Sequence, residues 1–170
     1  MKHFLLSLLF IVTAYSVNAQ QSAHFTTGNH PIGVSIGASL GSATQFKTSI
    51  WAYNVYFSAS SNFASAQGSV SDNETSGLQD KGKFNATQFN VGGMIRIVNQ
   101  YLYGLYLVPQ VTYCTKSSIY HGENDKTFKG TPEEQYGAAI DVMYVDRGGF
   151  TIQGGLSTSA GASLQVGFSF

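Results

Sequence analysis

Apolar and small polar residues trade places one by one along this chain, over stretches of about ten residues from Ile32 onward. That is the period-2 signature of β-strands, whose successive side chains point to opposite faces. The last stretch is the clearest. Ala162, Leu164, Val166, Phe168 and Phe170 share one face, and Ser163, Gln165, Gly167 and Ser169 share the other. Ile32, Val34, Ile36, Ala38 and Leu40 alternate in the same way with Gly33, Ser35, Gly37, Ser39 and Gly41. Further strands are predicted through Trp51, Tyr53, Val55 and Phe57, read as one element, and through Phe89, Val91, Gly93, Ile95 and Ile97. Another runs from Tyr101 to Lys116, with Pro109 removing one ladder donor. The last two carry Tyr136, Ala138, Ile140, Val142 and Tyr144, and then Phe150, Ile152, Gly154 and Leu156. A tilted membrane strand needs about 9–11 residues, and these segments are of that length.

Alternation alone fits a soluble β-sandwich, a lipocalin-like barrel or a membrane barrel. The second face decides between them. It holds Gly, Ser, Asn, Gln and Thr with almost no Lys or Glu, which suits a narrow lumen better than a surface facing water. A lipocalin has the opposite polarity, with an apolar interior. The expected fold is therefore all-β, an eight-stranded antiparallel up-and-down transmembrane β-barrel. Soluble secreted β-sandwich or lipocalin-like binding proteins are the rivals at class level.

Connection lengths extend the picture. The expected links are Ser42 to Lys47, a long polar stretch from Asn62 to Lys83, a tight turn at Val98 to Gln100, a second long stretch from Ser117 to Pro132, a tight turn at Asp146 to Gly149, and a short link near Ser159. Long and short connections alternate through most of the chain, as when long loops face outward and turns face the periplasm. With the C-terminus periplasmic, both long loops lie outside and the Ser42 to Lys47 link lies on the periplasmic side. Only seven strands are readable, so an even count calls for one more, about Ser22 to Thr27, because an open sheet edge is not tolerated in lipid. On this threading Trp51, Tyr101, Tyr103, Tyr144, Phe150, Phe168 and Phe170 point outward near the periplasmic ends. Phe57, Phe84, Tyr113 and Tyr136 point outward near the other ends, giving two aromatic girdles.

Composition sharpens the membrane reading. Charged residues make up 11% of the chain against about 25% in soluble domains, while aromatics make up 14%. Beyond the N-terminal segment no apolar run approaches the length of a membrane helix, so strands must carry any membrane contact. Net charge is zero, with no basic stripe for nucleic acid. Met1-Lys2-His3 followed by apolar Phe4 to Val17 and the small-x-small Val17-Asn18-Ala19 reads as a cleaved signal peptide over residues 1–19, leaving 20–170 as the barrel domain. The single cysteine, Cys114, reads as a sequestered thiol.

The terminal Ala162-x-Leu164-x-Val166-x-Phe168-x-Phe170 resembles the C-terminal signal strand of bacterial outer-membrane β-barrel proteins, and the whole is similar to their small eight-stranded branch, the OmpX and OmpA-barrel type. That resemblance implies a bacterial outer-membrane location, delivery by periplasmic chaperones, and insertion by the barrel assembly machinery, which reads Leu164, Val166, Phe168 and Phe170. It implies no particular activity.

Candidate chemistry is sparse. Arg96 and Asp141 both point inward, and a charge buried in a filled lumen needs a partner, so they are expected to pair directly or through Gln or water. His121, with Ser117, Ser118, Glu123 and Asp125 nearby, could serve a lipid acyltransferase or deacylase, as could His24 and His30 near the first expected strand. Asp72-Asn73-Glu74 and Glu123-Asn124-Asp125 offer oxygen ligands without the spacing of a cation loop. No catalytic residue, metal site or cofactor is expected. The expected function is a non-enzymatic surface barrel whose two long loops contact external partners or lipopolysaccharide.

Overall fold

In the computed structural model the described residues are 32–170, apart from 42, 72–76, 101 and 123–125. They form β-strands without a helix: β1 (Ile32–Leu40), β2 (Thr44–Ala52), β3 (Val55–Ser61), β4 (Gly68–Ser69), β5 (Gln79–Gly93), β6 (Ile95–Asn99), β7 (Tyr103–His121), β8 (Thr127–Lys129), β9 (Glu133–Asp146), β10 (Phe150–Ser157) and β11 (Gly161–Ser169). β6 continues the line of β5 beyond Met94, and β8 lies on the same edge of β7 as β9. The wall therefore has eight antiparallel strands, and β1 closes it by pairing with both β2 and β11.

Closure has a measurable stagger. Gly33 pairs with Trp51, Trp51 with Tyr56, Tyr56 with Gly92 and Gly92 with Gln110. Gln110 then meets Ala139, Ala139 meets Ser157 and Ser157 meets Gly161. Ala162 pairs with Leu40, so Gly161 faces Gly41, and one circuit has advanced eight residues (41 − 33) along β1. Eight strands with a shear of eight tilt by about 36° and leave an interior just wide enough for side chains.

The barrel is apolar outside and polar inside. Ile36, Ile50, Phe57, Val91, Ile140, Ile152, Leu164 and Val166 stand exposed around its circumference, while Ser35, Lys47, Ser58, Asn90, Asp141, Gln153 and Gln165 are buried within. Aromatic ring pairs mark the two ends of the outer belt. Tyr103 with Tyr144 and Phe150 with Phe168 mark one, and Tyr113 with Tyr136 and Phe46 with Phe63 mark the other. On β9, Tyr136 and Tyr144 are eight residues apart (144 − 136). That is about 27 Å along the strand, or about 22 Å along a barrel axis tilted by 36°.

Three expectations change. The strand expected at Ser22 to Thr27 lies outside the described residues, and the eight strands close without it. The eighth strand comes from the stretch around Trp51, where one strand was expected and the chain makes two, β2 and β3, joined by a two-residue turn at Tyr53-Asn54. Tyr53 takes a left-handed φ of 56° there, a position normally given to glycine in such hairpins. The turn also reverses the parity: Ala52 pairs with Val55, so Val55 and Phe57 face out while Trp51 faces in, 1% exposed. Finally, the link expected at Ser42 to Lys47 shrinks to residues 41–43. Gly41 lies against Ala160 and Gly161, at the end of the long connections and not at the opposite end.

Candidate functional site

The lumen is filled in three storeys. At the girdle end of Tyr144 and Phe168, Trp51, Met94, Val108, Met143 and Val145 form a buried apolar plug reached from above by Tyr56. Gly33 makes room for the indole: a Cβ there would fall 2.2 Å from the Trp51 ring. Below the plug Arg96 donates to the Tyr106 hydroxyl at 2.7 Å, with its guanidinium 5.2 Å from that ring's centroid.

Above the plug sits a buried ion pair. Lys47 Nζ lies 3.1 Å from Asp141 Oδ2, and the two side chains are 5% and 1% exposed. Lys47 also donates to Ser163 Oγ at 3.2 Å. Gln153 Nε2 donates to Asp141 Oδ2 at 2.5 Å, and the Tyr56 hydroxyl reaches the same oxygen at 3.4 Å. Gln165 ties this cluster to Ser35 and Ser49 through its Oε1. Asp141 fits because its neighbour on β10 is Gly155, where a Cβ would lie 1.6 Å from Oδ1. In the top storey amides and hydroxyls satisfy one another: Gln88 with Asn90, Asn90 with Ser58, Ser159 with Gln88, and Ser60 with Gln45.

Arg96 and Asp141 were expected to be partners, and the structure gives Asp141 the Lys47 ammonium instead. The reason is vertical separation. Arg96 pairs with Tyr106 at the lower rim, Asp141 pairs with Val108, and the fully buried Val108 and Met143 occupy the interior at the levels between. Lys47 escaped notice because the sequence reading placed it in a link. Once β2 is read back to Thr44, the alternation Gln45, Lys47, Ser49, Trp51 puts it inside.

Beyond the second girdle the barrel is lopsided. β3 leaves β5 at Ser61 opposite Thr87, yet the β5–β7 ladder continues to Gln79 opposite His121. The extra eight residues (87 − 79) carry a wall about 25 Å farther along the strands than the rim beside it. Residues 62–67 leave β3 and reach β8, where β4 adds a short parallel pairing. On the way Asn85 donates to the Ala64 carbonyl, and Ser117 and Ile119 are buried on a row of β7 that lower down faces outward. Phe84, expected outward, stands on the Gln88 row, the one that faces the lumen lower down. The Lys116 ammonium lies 4.2 Å from its ring centroid. The free edge of β5 is blunted. Asn62 Nδ2 donates to the Phe84 carbonyl at 2.6 Å, Asn62 Oδ1 accepts from Ala86 N at 3.1 Å, and Gly82 sits in a register shift at a φ of 68°.

The structure does not bring Ser117 or Ser118 to His121. Ser117 and Ser118 lie four and three residues back along the same extended strand, about 10 Å or more away. Ser118 instead offers its carbonyl to Gly130 N at 2.9 Å. Glu123, Asp125, the run from Asp72 to Glu74, His24, His30 and residues 1–19 lie outside the described residues. Cys114 is buried in the upper lumen opposite Gln88. Leu164, Val166 and Phe168 form the exposed outer face of β11, and Phe170 follows it, bonded through its backbone to Ile32. No protein-family model, curated protein or solved structure matches this chain.

Proposed function

We propose that this chain is an integral outer-membrane β-barrel protein of bacterial type. It is exported by the segment 1–19, inserted with the help of periplasmic chaperones and a barrel assembly machinery that recognises Leu164, Val166, Phe168 and Phe170, and non-enzymatic. The observation that carries this reading is the inverted polarity of a closed barrel. Ions and amides are inside and a continuous apolar belt is outside, the arrangement that hydrocarbon favours and water penalises. The belt's height of about 22 Å between ring pairs matches the apolar band of about 25 Å seen in such barrels.

In this reading the storeyed lumen is a structural core, sealed at one end by the Trp51 plug. Function then belongs to the projecting wall and the connections Asn62 to Lys83 and Ser117 to Pro132, which contact external partners through side chains. Asn62 and the Gly82 irregularity protect the β5 edge, so strand addition there is disfavoured.

The test is the mobility of the detergent-extracted membrane fraction on SDS gels, boiled and unboiled. The expected result is a faster unboiled band that shifts on heating. Recovery in the soluble fraction with no heat shift would refute the membrane reading and leave a secreted β-barrel of unusual polarity.

A further inference from the structure

The eight-stranded wall closes at a seam. Every other pair of neighbouring wall strands is consecutive along the chain, whereas β1 and β11 are the first and last of them. Leu40 and Ala162, paired at the upper end of the seam, are 122 residues apart (162 − 40), so closure carries a large loop entropy. Inside, the seam has little to pack. Its inward pairs are Gly33 with Ser169, Ser35 with Gly167, Gly37 with Gln165 and Ser39 with Ser163. Cross-strand side-chain pairs stabilise a ladder, and glycine supplies none. Gln165 is the one long side chain among these residues, and it is 1% exposed. Its neighbour must be glycine: a Cβ on Gly37 would lie 2.0 Å from the Leu164 carbonyl oxygen and 2.6 Å from Gln165 Cα. Gly37 leaves that level of β1 bare, and groups on β2 and β3 reach past it to β11. Gln165 Oε1 accepts from Ser49 Oγ at 2.9 Å and from Ser35 Oγ at 3.3 Å, and Gln165 Nε2 donates to the Tyr56 hydroxyl at 3.4 Å. Lys47 Nζ adds a bond to Ser163 Oγ at 3.2 Å. Counted around the wall, β2 lies two strands from β11 through the seam and six the other way. β3 lies three strands away through the seam and five the other way. These bonds therefore span the seam.

We propose that Gln165, assisted by Lys47, is a latch that holds the β1–β11 seam shut from inside. Through one amide the last strand grips β1, β2 and β3, so the wall cannot part at the seam without breaking these bonds as well as the ladder. The seam is where the wall can separate without splitting two strands that follow one another in the chain, and the latch sets how often that happens. The device belongs to the closed barrel itself, and so goes beyond the outer-membrane reading without depending on it.

The experiment is hydrogen exchange read by mass spectrometry on the full mature chain refolded in detergent. Gln165→Leu keeps the side-chain bulk and removes the amide. Exchange over residues 33–40 and 162–169 should quicken about tenfold in that variant, while exchange over 103–114 changes less than about twofold. Gln88→Leu removes a similarly buried lumen amide, bonded to Asn90, Ser157 and Ser159, and should show no preference for the seam. A disulfide made by Leu40→Cys with Ala162→Cys, on a Cys114→Ser background, joins the seam from outside. With it in place, Gln165→Leu should exchange like its stapled parent. A disulfide made by Ile140→Cys with Leu156→Cys, across β9 and β10, should leave the effect of Gln165→Leu untouched. Exchange that rises equally in every strand, or that stays fast at the seam once the seam is stapled, would overturn the latch and leave Gln165 an ordinary core amide. A seam unchanged by Gln165→Leu would overturn it as well. If Gln165→Leu does not fold, Ser49→Ala, which removes the shortest of the three bonds to Gln165, carries the same comparison.

Discussion

Breaking the Lys47–Asp141 pair on one side should cost far more than removing both charges together. The two side chains are 5% and 1% exposed and their charged atoms lie 3.1 Å apart, above an apolar plug and below a layer of neutral amides. Asp141→Asn leaves the Lys47 ammonium among Ser163 Oγ and neutral groups. Removing one member of a buried pair typically destabilises by about 3–5 kcal/mol, because the other charge stays buried without compensation. In Lys47→Met the carboxylate keeps Gln153 and Tyr56 as donors, so the loss should sit at the lower end of that range. The double variant Lys47→Met/Asp141→Asn removes both desolvation penalties and should recover most of the loss, as buried pairs replaced by neutral groups commonly do. Trp51 is the sole tryptophan and is buried in the lumen, so its emission reports unfolding directly. With a urea slope of about 2 kcal/mol per M, a loss of about 4 kcal/mol moves the midpoint down by about 2 M. The measurement is a double-mutant cycle of urea midpoints in phospholipid vesicles. Single-variant losses that simply add in the double variant would mean that water already screens the two charges, and the account of a filled lumen would fail.

Other parts of the fold give separate tests. Gly33→Ala places a methyl 2.2 Å from the Trp51 ring and 2.8 Å from the Phe168 carbonyl. It should destabilise by about 1–3 kcal/mol or more and shift Trp51 emission to the red. Val166→Lys, on the exposed face of β11, should cost roughly 2–4 kcal/mol if it sits near the bilayer midplane and should suppress the heat-shifted band; normal assembly would refute the facing. Asn62→Ala removes hydrogen bonds to Phe84, Ala64 and Ala86, so hydrogen exchange over residues 79–86 should quicken while the heat shift of the barrel stays unchanged. A loss of the heat shift in that variant would mean that the wall and the barrel fold as one unit.

Facing was legible wherever one strand ran unbroken between recognisable turns. On β11, β9 and the lower part of β7 the alternation assigns every residue to its observed side, because a period of two leaves no freedom once one side chain is placed. It failed at Ala52-Tyr53-Asn54-Val55. A two-residue hairpin without glycine looks like continuing strand, and reading through it inverts every residue on its far side. That single inversion put Trp51 outside, hid Lys47 in a link, removed one strand and called up another before Ile32. The Arg96 pairing followed from the same slip, since Lys47 was never a candidate. The projecting wall was illegible for a different reason. Once β5 and β7 leave the apolar belt, its polarity rule no longer holds, and burial of Ser117 and Ile119 depends on where residues 62–67 cross.

The distribution of order in the molecule also says where its selectivity must lie. Many of the inward polar groups are spent on one another: Asp141 on Lys47, Gln153 and Tyr56, Gln165 on two serines, Gln88 on Asn90 and Ser159. A ligand entering there would have to replace those bonds one for one, and at the lower end it would meet the plug of Trp51, Met94, Val108 and Met143. A shear of eight on eight strands leaves no spare width in which to do so. The wall beyond the Tyr113–Tyr136 girdle is where Lys83, Glu133 and Glu134 meet solvent, in strands that outrun β3 and are crossed by residues 62–67. An eight-residue extension of two strands with a capped edge is costly to keep ordered unless that surface is used. Deleting residues 79–86 together with their β7 partners should therefore leave a barrel with its heat shift intact and abolish only the partner contacts proposed for the wall; loss of the barrel itself would show that the wall belongs to the fold.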